Sequence, residues 1–106
     1  MRRTISTSIL ALACLSGLAF AADGLVSQKG KTFTPAELDR TVGSTLAIPN
    51  DDDTPHNITV RPPDGTTRNL GMQKPGDTVT IPLDQVGEYA VRCGIHPKMK
   101  LAVIVR

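Results

Sequence analysis

Aromatic residues are nearly absent: one tyrosine, two phenylalanines and no tryptophan make up 3% of the 106 residues. With 40% hydrophobic and 21% charged residues, the chain is still neither a disordered nor a collagen-like sequence, and its length excludes a multidomain enzyme. Long apolar runs are missing too. The one candidate, Ile9 to Phe20, is interrupted by Cys14, Ser16 and Gly17, and nothing approaches the roughly 20 residues that a membrane-spanning helix needs. Preceded by Arg2-Arg3 and ending at the small-x-small site Ala19-Phe20-Ala21, that run reads as an export signal. Residues 1–21 are then a cleaved signal peptide and residues 22–106 the working domain, expected in the periplasm. Lipid attachment at Cys14 fits less well, because Ala11 stands where a larger aliphatic residue is usual.

A charge excess of one sign is also lacking. The formal net charge of +2 includes Arg2 and Arg3, so the domain without its signal is neutral, and neither nucleic acid nor an anionic membrane is expected as a partner. Cysteine is scarce as well. Cys14 leaves with the signal, which makes Cys93 a lone thiol in an oxidising compartment and excludes an intramolecular disulfide. A domain of about 85 residues buries little more than about 60% of its unfolded surface and usually needs a disulfide, a metal or very economical packing. A lone cysteine is as often an inert buried thiol as a functional one, so its neighbours decide.

What is present is short alternating runs separated by Gly, Pro, Asn and Asp, with no sustained helical period and no internal repeat. The spacing predicts an all-β chain with strands at residues 25–28, 38–42, 45–49, 57–60, 78–83, 88–93 and 101–105. Turns fall at Val42-Gly43-Ser44, Pro62-Pro63-Asp64-Gly65, Lys74-Pro75-Gly76-Asp77 and Val86-Gly87. About seven strands with such punctuation suggest a two-sheet sandwich. A single helical turn at Pro35 to Leu38, capped by Thr34, is the only helix the sequence allows. Asp51-Asp52-Asp53 reads as a solvated loop.

Alternation also aims the side chains. Ile58 and Val60 mark the core face of their strand, which turns His56 inward; Tyr89 and Val91 do the same for Cys93, with Arg92 outside. Each could be an ordinary buried residue. However, Cys93-Gly94-Ile95-His96-Pro97-Lys98-Met99 places a thiol, an imidazole and a thioether at three-residue intervals, in one loop that can close on a single ion before the last strand. Two imidazoles, a thiolate and a weak thioether are the donor set of blue copper electron-transfer sites, whereas zinc has little use for a thioether. Met72 is read as a packing residue rather than a ligand. Ile95 and Pro97 flank His96 and offer apolar area at the tip. Cys93 as a nucleophile with His96 as base would lack an oxyanion site, so no enzyme is expected.

Asn50, Pro55-His56-Asn57-Ile58, Gly87-Glu88-Tyr89 and Cys93-x-x-His96-Pro97-x-Met99 together resemble the cupredoxins, and the short spacing from His96 to Met99 is similar to that of the amicyanins. The resemblance runs from about Phe33 to the C-terminus and implies a Greek-key β-sandwich. It implies one copper per chain, with His56, Cys93 and His96 as equatorial ligands and Met99 axial. Asn57 would give a backbone N–H to the Cys93 sulfur, and Asn50 would tie the ligand loop. The expected function is a monomeric electron carrier whose donor and acceptor proteins dock at the His96 tip. A copper-binding module for storage, delivery or resistance is the alternative. The domain is short for the family, so an N-terminal edge strand could be missing.

Overall fold

The computed structural model describes residues 24–106; the proposed signal peptide lies outside them. Every regular element among the described residues is a strand: β1 (Gly24–Leu25), β2 (Ser27–Gln28), β3 (Phe33–Thr34), β4 (Glu37–Arg40), β5 (Ser44–Pro49), β6 (His56–Arg61), β7 (Arg68–Gln73), β8 (Thr78–Leu83), β9 (Gly87–Cys93) and β10 (His96–Val105). They form a three-stranded sheet in the order β1-β5-β8, a five-stranded sheet in the order β4-β10-β9-β6-β7 and a small β2-β3 ladder. Among the described residues no helix is long and apolar enough to cross a membrane.

All seven expected strand regions contain strand, but three details differ. Residues 25–28 split into β1 and β2 around Val26, which is fully buried and donates its N–H to the carbonyl of Ala47 at 3.0 Å. The helical turn at Pro35 to Leu38 does not form. Residues from Glu37 onward instead pair in parallel with β10, and the Ala36 carbonyl accepts the N–H of Ala102; long-range pairing to the core strand outweighs a single local turn. The predicted strand at residues 38–42 therefore ends at Arg40, before a turn whose Gly43 has φ +92°. β3 and β7 were not expected. β7 is an edge strand with exposed Leu70 and Met72, a Gly71 at φ +87° and a register shift against β6, so it lacks the alternation that marks a half-buried strand.

The core follows the two-residue period on both sheets. Leu46 and Ile48 of β5 with Ile81 and Leu83 of β8 face Ile58 and Val60 of β6, Tyr89 and Val91 of β9, and Leu101, Val103 and Val105 of β10. Each such aliphatic side chain contributes about 1.5–3 kcal/mol when fully buried. Tyr89, fully buried, also holds a corner: its hydroxyl oxygen accepts the Gln85 N–H at 3.0 Å and its O–H reaches Asp84 Oδ1 at 3.3 Å. Desolvation chiefly raises its pKa above the ordinary tyrosine value, so it remains a donor. At one end of the sandwich the start of β6 and the β9-β10 hairpin meet.

Candidate metal centre

The residues between Cys93 and His96 are only two, Gly94 and Ile95, and they make a tight turn: Cys93 and His96 are cross-strand partners of the β9-β10 ladder. The expected loop is thus the tip of a hairpin, with β10 starting at His96 and a register irregularity before Lys100 that accommodates Pro97, Lys98 and Met99. β6 docks beside it. Asn57 donates its backbone N–H to Cys93 Sγ at 3.3 Å, as the family resemblance implied, and its carbonyl accepts the Gly94 N–H at 2.9 Å. A Cβ on Gly94 would lie 2.6 Å from Asn57 Oδ1, so a larger residue there would have to push the Asn57 side chain aside.

These contacts bring three donor atoms together. His56 Nδ1 and His96 Nδ1 are 3.0 Å apart, and Cys93 Sγ lies 3.8 Å from the first and 3.5 Å from the second. A triangle with those sides has a point about 2 Å from every corner, close to the roughly 2.0–2.3 Å that a zinc-sized ion keeps from imidazole nitrogen and thiolate sulfur. The rings meet edge to face, with centroids 4.9 Å apart. Met99 is buried in the same core as Cys93 and lies near the three donors. The donor chemistry therefore fits a thiophilic ion of the first transition row. Met72 is 55% exposed.

Burial divides the two imidazoles. His56 is fully enclosed, whereas His96 is half-buried between exposed Ile95 and Pro97. What the sequence missed is the partner of His56. Its Nε2 lies 3.1 Å from Asp52 Oδ2, a carboxylate whose side chain is only 11% exposed. Asp52 was expected in a solvated loop, yet it also accepts the backbone N–H groups of Lys31 and Asp53. The Lys31 amide above all, then the His56 ring and the Asp53 and Gly30 amides, hold its carboxyl well below the usual carboxylate range. A charged acceptor at Nε2 fixes the proton there and leaves the Nδ1 lone pair facing Cys93 and His96. The only sequence signal was a carboxylate four residues before an inward histidine.

Asn50 has a related task and a different target from the one expected. Its Nδ2 donates to the carbonyls of Thr54 and Gln73, and its Oδ1 accepts the Asp52 N–H. It therefore ties the loop that leads into His56, rather than the β9-β10 hairpin. Behind it, buried Gln28 donates to Gln73 Oε1 at 2.6 Å, and Gln73 is the cross-strand partner of His56.

No protein-family model matches the chain. It is 41% identical over 75 residues to a methylamine utilization protein, MauL, of Methylophilus methylotrophus, covering 69% of this chain and 43% of that protein. The chain spans about half the length of the curated relatives it matches. Among solved structures, a purple cupredoxin from Nitrosopumilus maritimus superposes with a TM-score of 0.69 at 25% identity, over 79% of this chain and all of that one. The Cu(I) form of an amicyanin variant gives a TM-score of 0.72 at 26% identity, over 81% of this chain and 86% of that one. Likeness of this extent, on a sandwich that also brings His56, Cys93 and His96 together in the expected order, identifies the chain as cupredoxin-like in both fold and donor set.

Proposed function

We propose that the protein is a blue copper electron carrier whose single copper would be held by His56, Cys93, His96 and Met99. The triangle of two Nδ1 atoms and Sγ carries this reading, because all three donors converge without any rearrangement of the backbone. Copper would supply a one-electron couple between Cu(I) and Cu(II). The chain's part is to hold the donors still. Asp52 orients His56, the Asn57 amide donates to the thiolate, and the hairpin register fixes the spacing of Cys93 and His96. Such restraint limits reorganisation between oxidation states.

His96 is the ligand nearest solvent, and Ile95, 50% exposed, with Pro97 offers an apolar collar that a donor or acceptor protein could desolvate. Burial of Cys93 supports a carrier over a thiol enzyme, since a nucleophile must reach its substrate. We further propose that residues 1–21 direct the chain to the periplasm, that it works as a monomer, and that it serves methylamine utilization, as the name of its curated relatives suggests.

Adding Cu(II) to the purified protein should produce an intense visible band from thiolate-to-copper charge transfer that bleaches reversibly on reduction while copper is retained. Cys93→Ser should abolish that band. A blue colour surviving in the variant would overturn the ligand assignment, and loss of copper to weak chelators would favour storage or delivery instead.

A further inference from the structure

The carboxylate oxygen that holds His56 is itself held from outside the sheet that carries the metal ligands. Asp52 Oδ2 lies between two donors, the backbone N–H of Lys31 at 2.9 Å and His56 Nε2 at 3.1 Å. Lys31 belongs to the exposed turn between β2 and β3, 21 residues earlier in the chain. Gly30 and Lys31 stand there at φ +63° and +55°, the positive values that a primed hairpin turn requires at both central positions. The Lys29 N–H closes the turn on the Thr32 carbonyl at 3.1 Å. Glycine adopts such a backbone freely, whereas lysine does so under strain. The strained residue is the one whose amide meets Asp52.

Buried contacts fasten this hairpin beside the loop that leads into His56. Gln28, fully buried, forms a parallel bridge with Asn50, and its carbonyl accepts the Asp51 N–H at 2.9 Å. Its side chain reaches Gln73, the cross-strand partner of His56. Ser27 Oγ donates to Asp51 Oδ2 at 2.6 Å, and buried Phe33 pins the returning strand in the core. Charge has no visible part in this. Among the described residues the ion pairs are those of His56 with Asp52 and Arg106 with Asp39, so Lys31 meets Asp52 through its amide and not through its ammonium group.

We propose that the β2-β3 turn is a strap that positions the buried metal ligand, with the Lys31 amide acting on His56 through Asp52. The proposal rests on the reading of His56 as a ligand. Asp52 keeps an exposed edge, its side chain being 11% accessible, and without the Lys31 N–H its Oδ2 is free to turn toward water. With that N–H in place, the acceptor of His56 Nε2 stands at one point, and the direction in which Nδ1 faces the other donors is fixed with it. The strain at Lys31 persists because the buried contacts around it over-determine the turn. The hold on the metal thus depends on a segment that supplies no ligand and precedes Phe33, where the family resemblance begins.

Three variants at position 31 test the strap by Zn(II) competition against a chromophoric chelator, with imidazole nitrogen shifts reporting the His56 tautomer in the zinc-free protein. Lys31→Pro has no N–H and a φ fixed near about −65°; it should weaken Zn(II) binding about tenfold, the lower end of the loss expected around a ligating histidine, and reduce the share of His56 protonated on Nε2. Lys31→Val keeps the amide but resists a positive φ, and its affinity should fall between those of Lys31→Pro and the parent. Lys31→Gly keeps the amide and suits the turn, so it should retain the parent affinity and tautomer although the charge is gone. In an Asp52→Ala background Lys31→Pro should cost nothing further, because its route to the ring has been removed. An equal loss in both backgrounds would assign the turn to general support of the fold, and a Lys31→Gly as weak as Lys31→Pro would assign the effect to the lysine charge. Either result overturns the strap, as does a Lys31→Pro that binds like the parent. Failure of the parent itself to bind Zn(II) overturns the ligand assignment instead.

Discussion

Removing the carboxylate at position 52 should weaken metal binding while leaving the sandwich folded. Asp52→Ala takes away the acceptor of His56 Nε2–H, in a place where the ring has no exposed surface. A buried donor left without an acceptor costs about 1–3 kcal/mol. The ring can escape that cost by moving its proton to Nδ1, but it then turns an N–H toward Cys93 and His96 and loses its lone pair there. Either way the donor set is harder to use, and loss of an outer partner of a ligating histidine typically lowers metal affinity about 10–100-fold. Asp52→Asn keeps one oxygen to accept from His56 but removes the charge and turns the other oxygen, which accepts the Asp53 N–H, into a donor, so its loss should be smaller than that of Asp52→Ala. Zn(II) competition against a chromophoric chelator measures both affinities without reliance on redox chemistry, and imidazole nitrogen shifts report the tautomer. If Asp52→Ala binds Zn(II) as tightly as the parent, with the His56 proton still on Nε2, the carboxylate does not orient the ligand.

Three further outcomes are expected. Met99→Gln should keep copper and lower the reduction potential, because a thioether favours Cu(I) more than an amide oxygen does; voltammetry showing an unchanged potential would remove Met99 from the site. Tyr89→Phe orphans the Gln85 N–H and should reduce the unfolding free energy in urea by about 1–3 kcal/mol, with no loss if another acceptor replaces the phenol. The Asp64 carboxyl is held below its ordinary value of 3.8, first by the Thr66 hydroxyl and then by the Thr66 amide. A depressed carboxylate pKa stabilises the fold fully above the unfolded value and ceases to do so as pH falls through the folded one. The stability gap between parent and Asp64→Asn should therefore narrow in urea melts as pH drops from about 6 to about 3; a gap that widens contradicts the assignment.

The donors were legible because their positions obey simple periods. Inward His56 and Cys93 follow from the alternation of Ile58, Val60, Tyr89 and Val91, and the spacing of Cys93, His96 and Met99 is local. The same logic located β5, β6, β8 and β9 to within one residue at each end. What escaped depends on contacts distant in sequence. β7 is polar and bulged, and only its pairing with β6 makes it a strand. Asp52 looked solvated because its strongest restraint, the Lys31 amide, comes from 21 residues away. Asn50 was assigned to the wrong loop because one of its partners, Gln73, lies 23 residues away and is fixed by where β7 ends.

The sequence separations within the donor triangle impose an order of assembly. Cys93 and His96 are three residues apart and meet as soon as one hairpin closes, whereas His56 lies 37 and 40 positions away and arrives only when β6 has paired with β9. The unfolded chain accordingly offers an ion two local donors, and the complete set belongs to the folded state alone. Any ion that needs all three is linked to global folding: at a free concentration one hundred times its dissociation constant it adds about 2.7 kcal/mol to the native state. Chelation should lower the melting temperature in a concentration-dependent way, and coordination by all three donors has to follow the closure of the sheet.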